Sequence, residues 1–222
     1  MIGFVTALNN ESVCIINNME NTKKSTLAGK TLIEGTYLNQ PAALIICGVG
    51  KVNAAMATQA LIDRYPDIQL IVNVGICGTV NKKIPLGLVC MVKSWIQYDF
   101  DLSELENVPA GKLNEFDSPY QYISNKYTQN IKKEYKEVVL GTADRFANSQ
   151  KHADFMITKN IDVCDMEGGS IAQVCKYNKK PLLMLKAISD YVGQDLEGIY
   201  DRYYQVGVSN LQKELVKILS RI

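Results

Sequence analysis

The chain has 222 residues, of which 47% are hydrophobic, so it can bury a sizeable core, and we expect a single domain over residues 1–222. Lys and Arg total 24 against 23 Asp and Glu, and such a small net charge predicts neither nucleic acid nor membrane partners. The cysteines form no C-x-x-C pair, the start lacks the basic region of a signal peptide, and no apolar run is long enough to cross a bilayer. We therefore expect a cytoplasmic protein with reduced thiols.

Apolar runs of strand length alternate with segments of helical period, which is typical of an α/β protein with a mixed central sheet flanked by helices. A buried strand, IGFVTAL, comes first, followed by a helix that begins in NNESVCIINNM and by a hairpin of KTLIEGTYL and PAALIICGVG. A helix is then predicted over GKVNAAMATQALIDRYP. Its predicted core face consists of Val52, Ala55, Met56 and Ala60.

The alternation continues in the second half of the chain. IQLIVNVGICG and LGLVCMVKSWI are predicted strands, residues 99–119 form an irregular excursion, and the spacing of Ile123, Tyr127 and Ile131 predicts a helix over 120–136. EVVLGTA returns as a strand, VCDMEGGSIAQVC runs from a strand into a helix, and KPLLMLKAISD is the last strand. The closing helix has a predicted core stripe of Val208, Leu211, Leu215, Ile218 and Ile222.

Carboxylates directly follow three of the predicted strands. Glu11 follows the first strand, Asp165 and Glu167 follow a later one, and Asp190 ends the last. Each acid alone is more simply interpreted as a helix cap or a partner of a helix dipole. Ligands of open α/β sheets bind beyond the carboxyl ends of the strands, however, so three such positions together favour one shared site.

One glycine-rich stretch, GVGKVNAA, suggests two kinds of nucleotide-binding loop, and its spacing excludes both. GVGKVNAA lacks the G-x-x-x-x-G-K-[ST] spacing of a phosphate loop, and Asn53 stands where the third glycine of a dinucleotide-binding turn belongs. Cys77 has no histidine nearby and is interpreted as a small buried residue rather than a nucleophile. With one histidine in the chain, neither a metal nor another cofactor is predicted.

Four blocks, in this order, resemble the conserved blocks of the nucleoside phosphorylase and nucleosidase superfamily: GVGKVNAA, NVGICG, CDMEGGSIAQVC and KAISDYVG. Within that superfamily, nearly the whole chain resembles the bacterial 5'-methylthioadenosine/S-adenosylhomocysteine nucleosidases. The resemblance implies a three-layer fold of the nucleoside phosphorylase type, a small purine nucleoside as substrate, no cofactor, and a homodimer.

The resemblance also implies a role for each acid. Glu167, with the backbone of Met166, would hold the ribose hydroxyls, while Asp165 would be structural. A carboxylate accepts from both vicinal hydroxyls, and its charge lies close to a ribose that becomes cationic. Asp190 would protonate or hydrogen-bond N7 of the purine, and Glu11 would position or deprotonate the attacking water.

Other positions are implied to contact the substrate. Phe146 matches the aromatic residue that stacks on adenine, and the backbone of Ala147 would read the purine edge. Tyr200 and Tyr203 match aromatics that cover the 5' substituent and cross between subunits, although core packing explains such tyrosines equally well. The remaining candidate substrate-binding residues are Ile76, Gly78 and Ser189.

The first loop and the glycine block favour water over phosphate as the nucleophile. Phosphate-using relatives place an arginine in the first loop and another before the VGxCG block, where this chain has ALNNES and Asn73, and Glu11 would repel the anion. Three features depart from the nucleosidase pattern: Ile76 replaces a small hydroxyl residue, Lys186 stands where arginine is usual, and QYDFDL lacks a histidine.

These departures leave alternatives open. The enzyme could act on another purine nucleoside, such as futalosine or adenosine, or it could be a phosphate-dependent phosphorylase. A non-catalytic nucleoside-binding protein is the alternative from a different class. The presence of Glu11, Glu167 and Asp190 together argues against a pure binder, which needs no acid to activate water.

Overall fold

The protein is built around a ten-stranded mixed sheet, described by a computed structural model over residues 1–106, 108–194 and 199–221. The strands are β1 (Ile2–Thr6), β2 (Met19–Leu27), β3 (Lys30–Tyr37), β4 (Gln40–Ile46), β5 (Leu70–Thr79), β6 (Val89–Gln97), β7 (Gln121–Tyr122), β8 (Lys136–Thr142), β9 (Val163–Asp165) and β10 (Leu182–Tyr191). Nearly all side chains of β5 and β10 are buried, as expected for strands covered on both faces.

Helices cover both faces of this sheet. They are α1 (Asn9–Ile16), α2 (Lys51–Arg64), α3 (Ser103–Glu106), α4 (Lys126–Ile131), α5 (Gln150–Thr158), α6 (Gly168–Tyr177) and α7 (Ile199–Leu219). α2 and α6 contribute to one hydrophobic cluster, whereas α1, α4 and α7 contribute to a second. The predicted three-layer α/β fold is therefore confirmed.

The pairing of the strands brings several strand ends together. β1 and β10 flank β5 and run parallel to it, so the carboxyl ends of all three lie at one edge. β9 runs antiparallel to β5 and pairs with its last two residues, Gly78 and Thr79. The successive pairings of β5, β10, β6, β8 and β9 close a circuit, and β1, β4, β3 and β2 extend the sheet from β5.

The predicted core face of α2 is wrong, because Val52, Ala55, Met56 and Ala60 are all at least partly exposed. Val52 and Met56 are 78% and 43% exposed, whereas the buried face includes Ala54, Ala57 and Leu61. α2 packs closely against α6 and the sheet, and small side chains permit that approach. Val52 and Met56 therefore lie on the outer face of α2, whereas Leu61 and Ile62 face the core.

The helix predicted over 120–136 is also wrong in extent. Gln121–Tyr122 pair with β6 as β7, and α4 spans only Lys126–Ile131. The reason is local: the Asn125 side chain accepts hydrogen bonds from the N–H groups of Tyr127 and Thr128, and so fixes the start of α4. Ile123 lies before that cap and outside the helix.

Three elements have no predicted counterpart, the edge strand β2 and the helices α3 and α5. The closing helix agrees better, because Val208, Leu211, Leu215 and Ile218 are buried, while Ile222 lies outside the described residues. No helix among the described residues has the length and apolar character needed to span a membrane.

Candidate active site

A cavity of about 220 Å³ opens where β1, β5 and β10 end. Its walls come from these strand ends, the start of α1, the turn after β4, the loop after β8 and the turn between β9 and α6. The predicted site residues that line it are Glu11, Ile76, Gly78, Phe146, Ala147, Met166, Glu167, Ser189 and Asp190. Positions far apart in the sequence thus meet around one space.

Glu11 enters the cavity from the first turn of α1 and is held by backbone donors. Its Oε2 accepts hydrogen bonds from the N–H groups of Ala7 (3.2 Å) and Leu8 (3.0 Å), and its Oε1 accepts one from Ile76 N–H (3.0 Å). A Cβ atom at Gly75 would lie 2.8 Å from Glu11 Oε1. Glycine at this position therefore lets β5 approach the carboxylate.

Asp165 forms a buried ion pair with Lys186, with 2.8 Å between Asp165 Oδ2 and Lys186 Nζ. Thr142 Oγ1 donates to the other carboxylate oxygen at 2.6 Å, and Gly168 N–H donates to Oδ2 at 2.9 Å. Asp165 thus joins β9 to β8, β10 and the start of α6. These contacts support the expectation that Asp165 is structural.

Glu167 lies two residues further on, beside Met166, and is differently placed. Its Oε1 accepts a hydrogen bond from Gly50 N–H at 2.8 Å, the one such bond that its carboxylate receives from the described residues. Burial raises the pKa of Glu167 to about 7, and the charge of Asp165 adds to the rise. The Gly50 N–H group and the Lys186 ammonium oppose it.

Asp190 and Ser189 sit at an irregularity in β10. The pairing of β10 with β5 shifts between Ile188 and Asp190, which leaves Ser189 as the extra residue of a bulge. Ser189 Oγ lies 2.6 Å from Asp190 Oδ1 and donates to it. A Cβ atom at Gly78 would lie 3.2 Å from Asp190 Oδ2, so glycine keeps space beside this oxygen.

Several carboxylates line the cavity, and the buried ammonium group of Lys186 lies behind them, paired with Asp165. Burial raises the pKa of Asp190, against the opposing Ser189 hydrogen bond, and burial also raises the pKa of Glu11, against Lys186 and three N–H donors. Burial alone would lower the pKa of Lys186, but the charges of Asp165, Glu11 and Glu167 outweigh it and raise that pKa. Lys186 pairs with Asp165 and not with Asp190, so the carboxyl group of Asp190 can retain a proton more readily.

The loop after β8 supplies the outer wall. Phe146 is 52% exposed and presents its ring at the cavity, with Ala147 next to it. Sequence reasoning missed Arg145, an exposed cation that also lines the cavity, and the apolar wall residues Leu8 and Val49. Nothing in the motif ADRFANS distinguishes this arginine from an ordinary surface residue.

Of the two candidate tyrosines, the structure describes the side chain of Tyr203 and does not place it among the cavity-lining residues. Tyr203 is partly buried in α7, and its ring lies near Gly87. The side chain of Tyr200 lies outside the part of the chain that the structure describes.

Comparison with known proteins places this architecture in a family. A family model described as the Phosphorylase superfamily matches residues 2–220. The chain belongs to the Phosphorylase superfamily. This match confirms the family resemblance inferred from the four sequence blocks, and with it the prediction of an enzyme of this superfamily.

Relatives within the superfamily match the chain over most of its length. The 5'-methylthioadenosine/S-adenosylhomocysteine nucleosidase of Bacillus subtilis is 26% identical and that of Oceanobacillus iheyensis 25% identical, each covering 100% of this chain and 99% of the relative. The aminodeoxyfutalosine nucleosidase of Campylobacter jejuni is 24% identical over 91% of this chain and 90% of its own.

Solved structures in the superfamily share the fold. The futalosine hydrolase of Helicobacter pylori has a TM-score of 0.92 at 22% identity, covering 100% of this chain and 97% of its own. A 5'-methylthioadenosine/S-adenosylhomocysteine nucleosidase of Helicobacter pylori, solved in complex with a pyrrolopyrimidine compound, also has a TM-score of 0.92, at 23% identity, covering 100% of this chain and 98% of its own. The two neighbours differ in named substrate but not in architecture.

Proposed function

We propose that this protein hydrolyses the N-glycosidic bond of 5'-methylthioadenosine and S-adenosylhomocysteine, releasing adenine and the 5'-thio-substituted ribose. The observation that carries the proposal is the convergence of Glu11, Glu167 and Asp190 on one cavity, each with different partners. The relatives named as nucleosidases for these substrates, which match the whole chain, support it.

Glu167 binds the ribose in this proposal. Gly50 N–H occupies Oε1, which leaves Oε2 to accept hydrogen bonds from the vicinal hydroxyls. When the glycosidic bond breaks, positive charge develops on the sugar, and a nearby buried carboxylate stabilises that charge more than it stabilises the neutral ground state. Met166 lines the sugar side of the cavity beside this carboxylate.

Asp190 makes adenine a better leaving group. Adenine departs as an anion unless a proton reaches the ring, so an acid near N7 lowers the barrier. Burial raises the pKa of Asp190, which favours the protonated form that this role needs. Ser189 holds one carboxylate oxygen, leaving Oδ2 on the side of Gly78 for the purine.

Glu11 positions the attacking water and accepts a proton from it. Three backbone N–H groups fix its carboxylate at the end of β1, and burial raises its pKa so that it can take up a proton from the attacking water. The same acidic surroundings disfavour a phosphate dianion. The nearby groups that could bind a phosphate already have partners. Asn73 Nδ2 donates to Val5 O of β1 at 2.9 Å, and Lys186 forms an ion pair with Asp165.

The remaining contacts concern the base and the rest of the molecule. Phe146 stacks on the adenine and the backbone of Ala147 reads its edge, while Tyr200 and Tyr203 cover the 5' substituent across a homodimer.

We place the reaction in the cytoplasm, since all six cysteines are free and buried, which fits a reducing compartment. Residues 1–222 act as one catalytic domain.

A nucleosidase for a purine nucleoside with another 5' substituent is the second candidate. The aminodeoxyfutalosine nucleosidase of Campylobacter jejuni matches 91% of the chain with an identity close to that of the first group of relatives. The residues around Asp190 and Glu167 serve either substrate, because both reactions cleave the same kind of bond. The 5' end of the substrate therefore decides between the candidates.

Product analysis tests the proposal directly. Purified protein is incubated with 5'-methylthioadenosine, with and without phosphate, and both adenine and the released sugar are measured. We expect equal adenine release in both conditions, with free methylthioribose. A strict requirement for phosphate would assign a phosphorylase, and adenine release from aminodeoxyfutalosine alone would favour the second candidate. Release from none of these nucleosides would point to a binding protein.

A further inference from the structure

The turn between β4 and α2 contacts two carboxylates through consecutive backbone amides. Gly50 N–H donates to Glu167 Oε1 at 2.8 Å, and Lys51 N–H donates to Asp144 Oδ1 at 2.8 Å. Gly50 has a φ of 99°, in the region that favours glycine, and a Cβ atom there would lie 3.1 Å from Asp144 Oδ1. The direction of the amide that meets Glu167 therefore depends on how this turn is held.

A ring of polar contacts holds the turn from outside the cavity. Lys51 Nζ lies 2.7 Å from Asp99 Oδ1, and Asp99 Oδ2 accepts a hydrogen bond from Asp144 N–H at 2.9 Å. The Lys51 backbone N–H donates to the Asp144 carboxylate, so the contacts among Lys51, Asp99 and Asp144 form a closed circuit. Asp99 follows β6 and Asp144 follows β8, and the circuit thus ties the start of α2 to two strand ends.

The circuit lies at the surface, where Asp99 and Asp144 are exposed residues, but the two side chains of the Lys51–Asp99 pair are partly covered. The side chains of Lys51 and Asp99 are 19% and 27% exposed, so water screens their attraction less than it would on an open surface. Lys51, Asp99 and Asp144 do not line the cavity. Their link to Glu167 runs through the Gly50 amide. Asp144 also precedes the loop residues Phe146 and Ala147, but the Lys51 backbone N–H still donates to Asp144 when the Lys51 side chain is changed.

We propose that Lys51, Asp99 and Asp144 are positioning residues that hold the Gly50 amide on Glu167 and so leave one carboxylate oxygen directed at the ribose. The inference rests on the proposed function, because it assigns the ribose to Glu167. Without the circuit, the turn can move, and Glu167 loses the donor that fixes Oε1. The carboxylate then rotates, and recognition of the sugar weakens while recognition of the base does not.

The decisive experiment compares Lys51→Met with wild type in two readouts, kcat/KM for 5'-methylthioadenosine and competitive inhibition by adenine, which has no ribose. We expect kcat/KM to fall about tenfold, the effect of weakening one hydrogen bond to a charged group. The inhibition constant for adenine stays unchanged. Lys51→Arg, which keeps a cation for Asp99, recovers most of the loss. Asp99→Asn replaces Lys51→Met if the latter does not fold.

Lys180→Met is the matched control. Lys180 Nζ also ties elements near α2 together, by donating to Pro66 O at 2.6 Å and Ile68 O at 3.0 Å, but it has no link to Glu167. We expect this variant to retain wild-type kcat/KM. An equal loss in Lys180→Met and Lys51→Met, or a loss of adenine inhibition in parallel, would show that Lys51 only stabilises the fold.

A second comparison separates this inference from the proposed function. In a Glu167→Ala background, which has no side-chain oxygen to accept from Gly50 N–H, adding Lys51→Met should cause little further loss, because both changes act on the same interaction. A full additional loss would overturn the inference while the enzyme remained a nucleosidase. A wild-type protein that releases no base from any nucleoside would instead overturn the proposed function.

Discussion

The carboxylates of the cavity differ in what surrounds them, and this difference suits them to separate tasks. Glu11 receives three backbone N–H donors, Glu167 receives one, and Asp190 is held by the hydroxyl of its neighbour Ser189. Asp165 is bound to Lys186 and to the turn that begins α6. At the scale of the residue, hydrogen-bonding partners thus distinguish a structural acid from acids with an oxygen available to a ligand.

Because the Glu167 carboxylate is buried, the stability of the folded protein should depend on pH, and this dependence can be measured. Its pKa is raised from 4.5 to about 7 in the folded protein, so the folded state binds more protons than the unfolded state between these values, and stability falls as pH rises through that window. Glu167→Gln removes the carboxylate and keeps an acceptor for Gly50 N–H. We expect this variant to match wild type near pH 4.5 and to be more stable at pH 8, by the order of 1 to 3 kcal/mol.

Urea unfolding followed by circular dichroism at several pH values measures this difference. Glu20→Gln, at an exposed position of β2, is the control, and it should leave the pH dependence as in wild type. A constant gap between Glu167→Gln and wild type across the pH range would contradict the prediction, because it would mean that Glu167 titrates alike in folded and unfolded chains.

At the scale of the element, the buried Lys186–Asp165 pair joins β10 to the turn between β9 and α6. Removing one partner leaves the other charge buried and unpaired, which typically costs about 3 to 5 kcal/mol. We expect Lys186→Met to destabilise the protein by roughly this amount. The double variant Asp165→Asn with Lys186→Met should recover a large part of the loss, since neither charge then remains.

The free energy of unfolding of both single variants and the double variant measures the coupling between the two residues. Lys217→Met serves as the control, because Lys217 forms longer, half-exposed ion pairs at the end of α7, 3.5 Å from Glu134 and 3.6 Å from Glu214. It should change stability little. If the effects of Asp165→Asn and Lys186→Met simply add, the pair does not stabilise the turn in the way the geometry indicates.

The elements also show which features of a sequence predict a fold. Mostly apolar runs such as LIVNV and LLMLKAI predict β5 and β10, because strands covered on both faces carry few polar residues. β2 carries MENTKKSTL, almost wholly exposed, and an edge strand of that kind has no apolar pattern to find. The apolar pattern of α2 predicted the wrong core face, since its alanines Ala54 and Ala57 face the core while Val52 and Met56 do not.

The candidate site divides along similar lines. Glu11, Glu167 and Asp190 were predicted because acids after buried strands are conspicuous and match a known family pattern. The contacts of Lys51 with Asp99 and of Gly50 with Glu167 join residues far apart in the chain, and only the folded sheet brings them together. Arg145 and the placement of Tyr203 depend on loop and helix geometry that no motif specifies.

At the scale of the whole molecule, exposed apolar residues continue from the mouth of the cavity. Leu8 and Val49, 38% and 45% exposed, line the cavity, and Val52 and Met56 lie one helical turn apart on the adjoining start of α2. Contiguous exposed apolar side chains are typical of a surface that another protein covers. A second copy seated there would bury them and bring its own residues to the mouth of the site.

The proposed homodimer is tested by sedimentation equilibrium. We expect wild type to have twice the chain mass of 24.7 kDa, and the double variant Val52→Asp with Met56→Asp to sediment as a monomer, because burying two new carboxylates in an apolar interface is strongly unfavourable. The far-ultraviolet circular dichroism of the variant should stay that of wild type, since both side chains are exposed in one chain. Tyr122→Asp, at an exposed residue that does not line the cavity, should remain dimeric. If the α2 variant stays dimeric, this surface is not the interface. If wild type is a monomer, one chain forms the whole site, and Tyr203 cannot contact a substrate bound in another subunit.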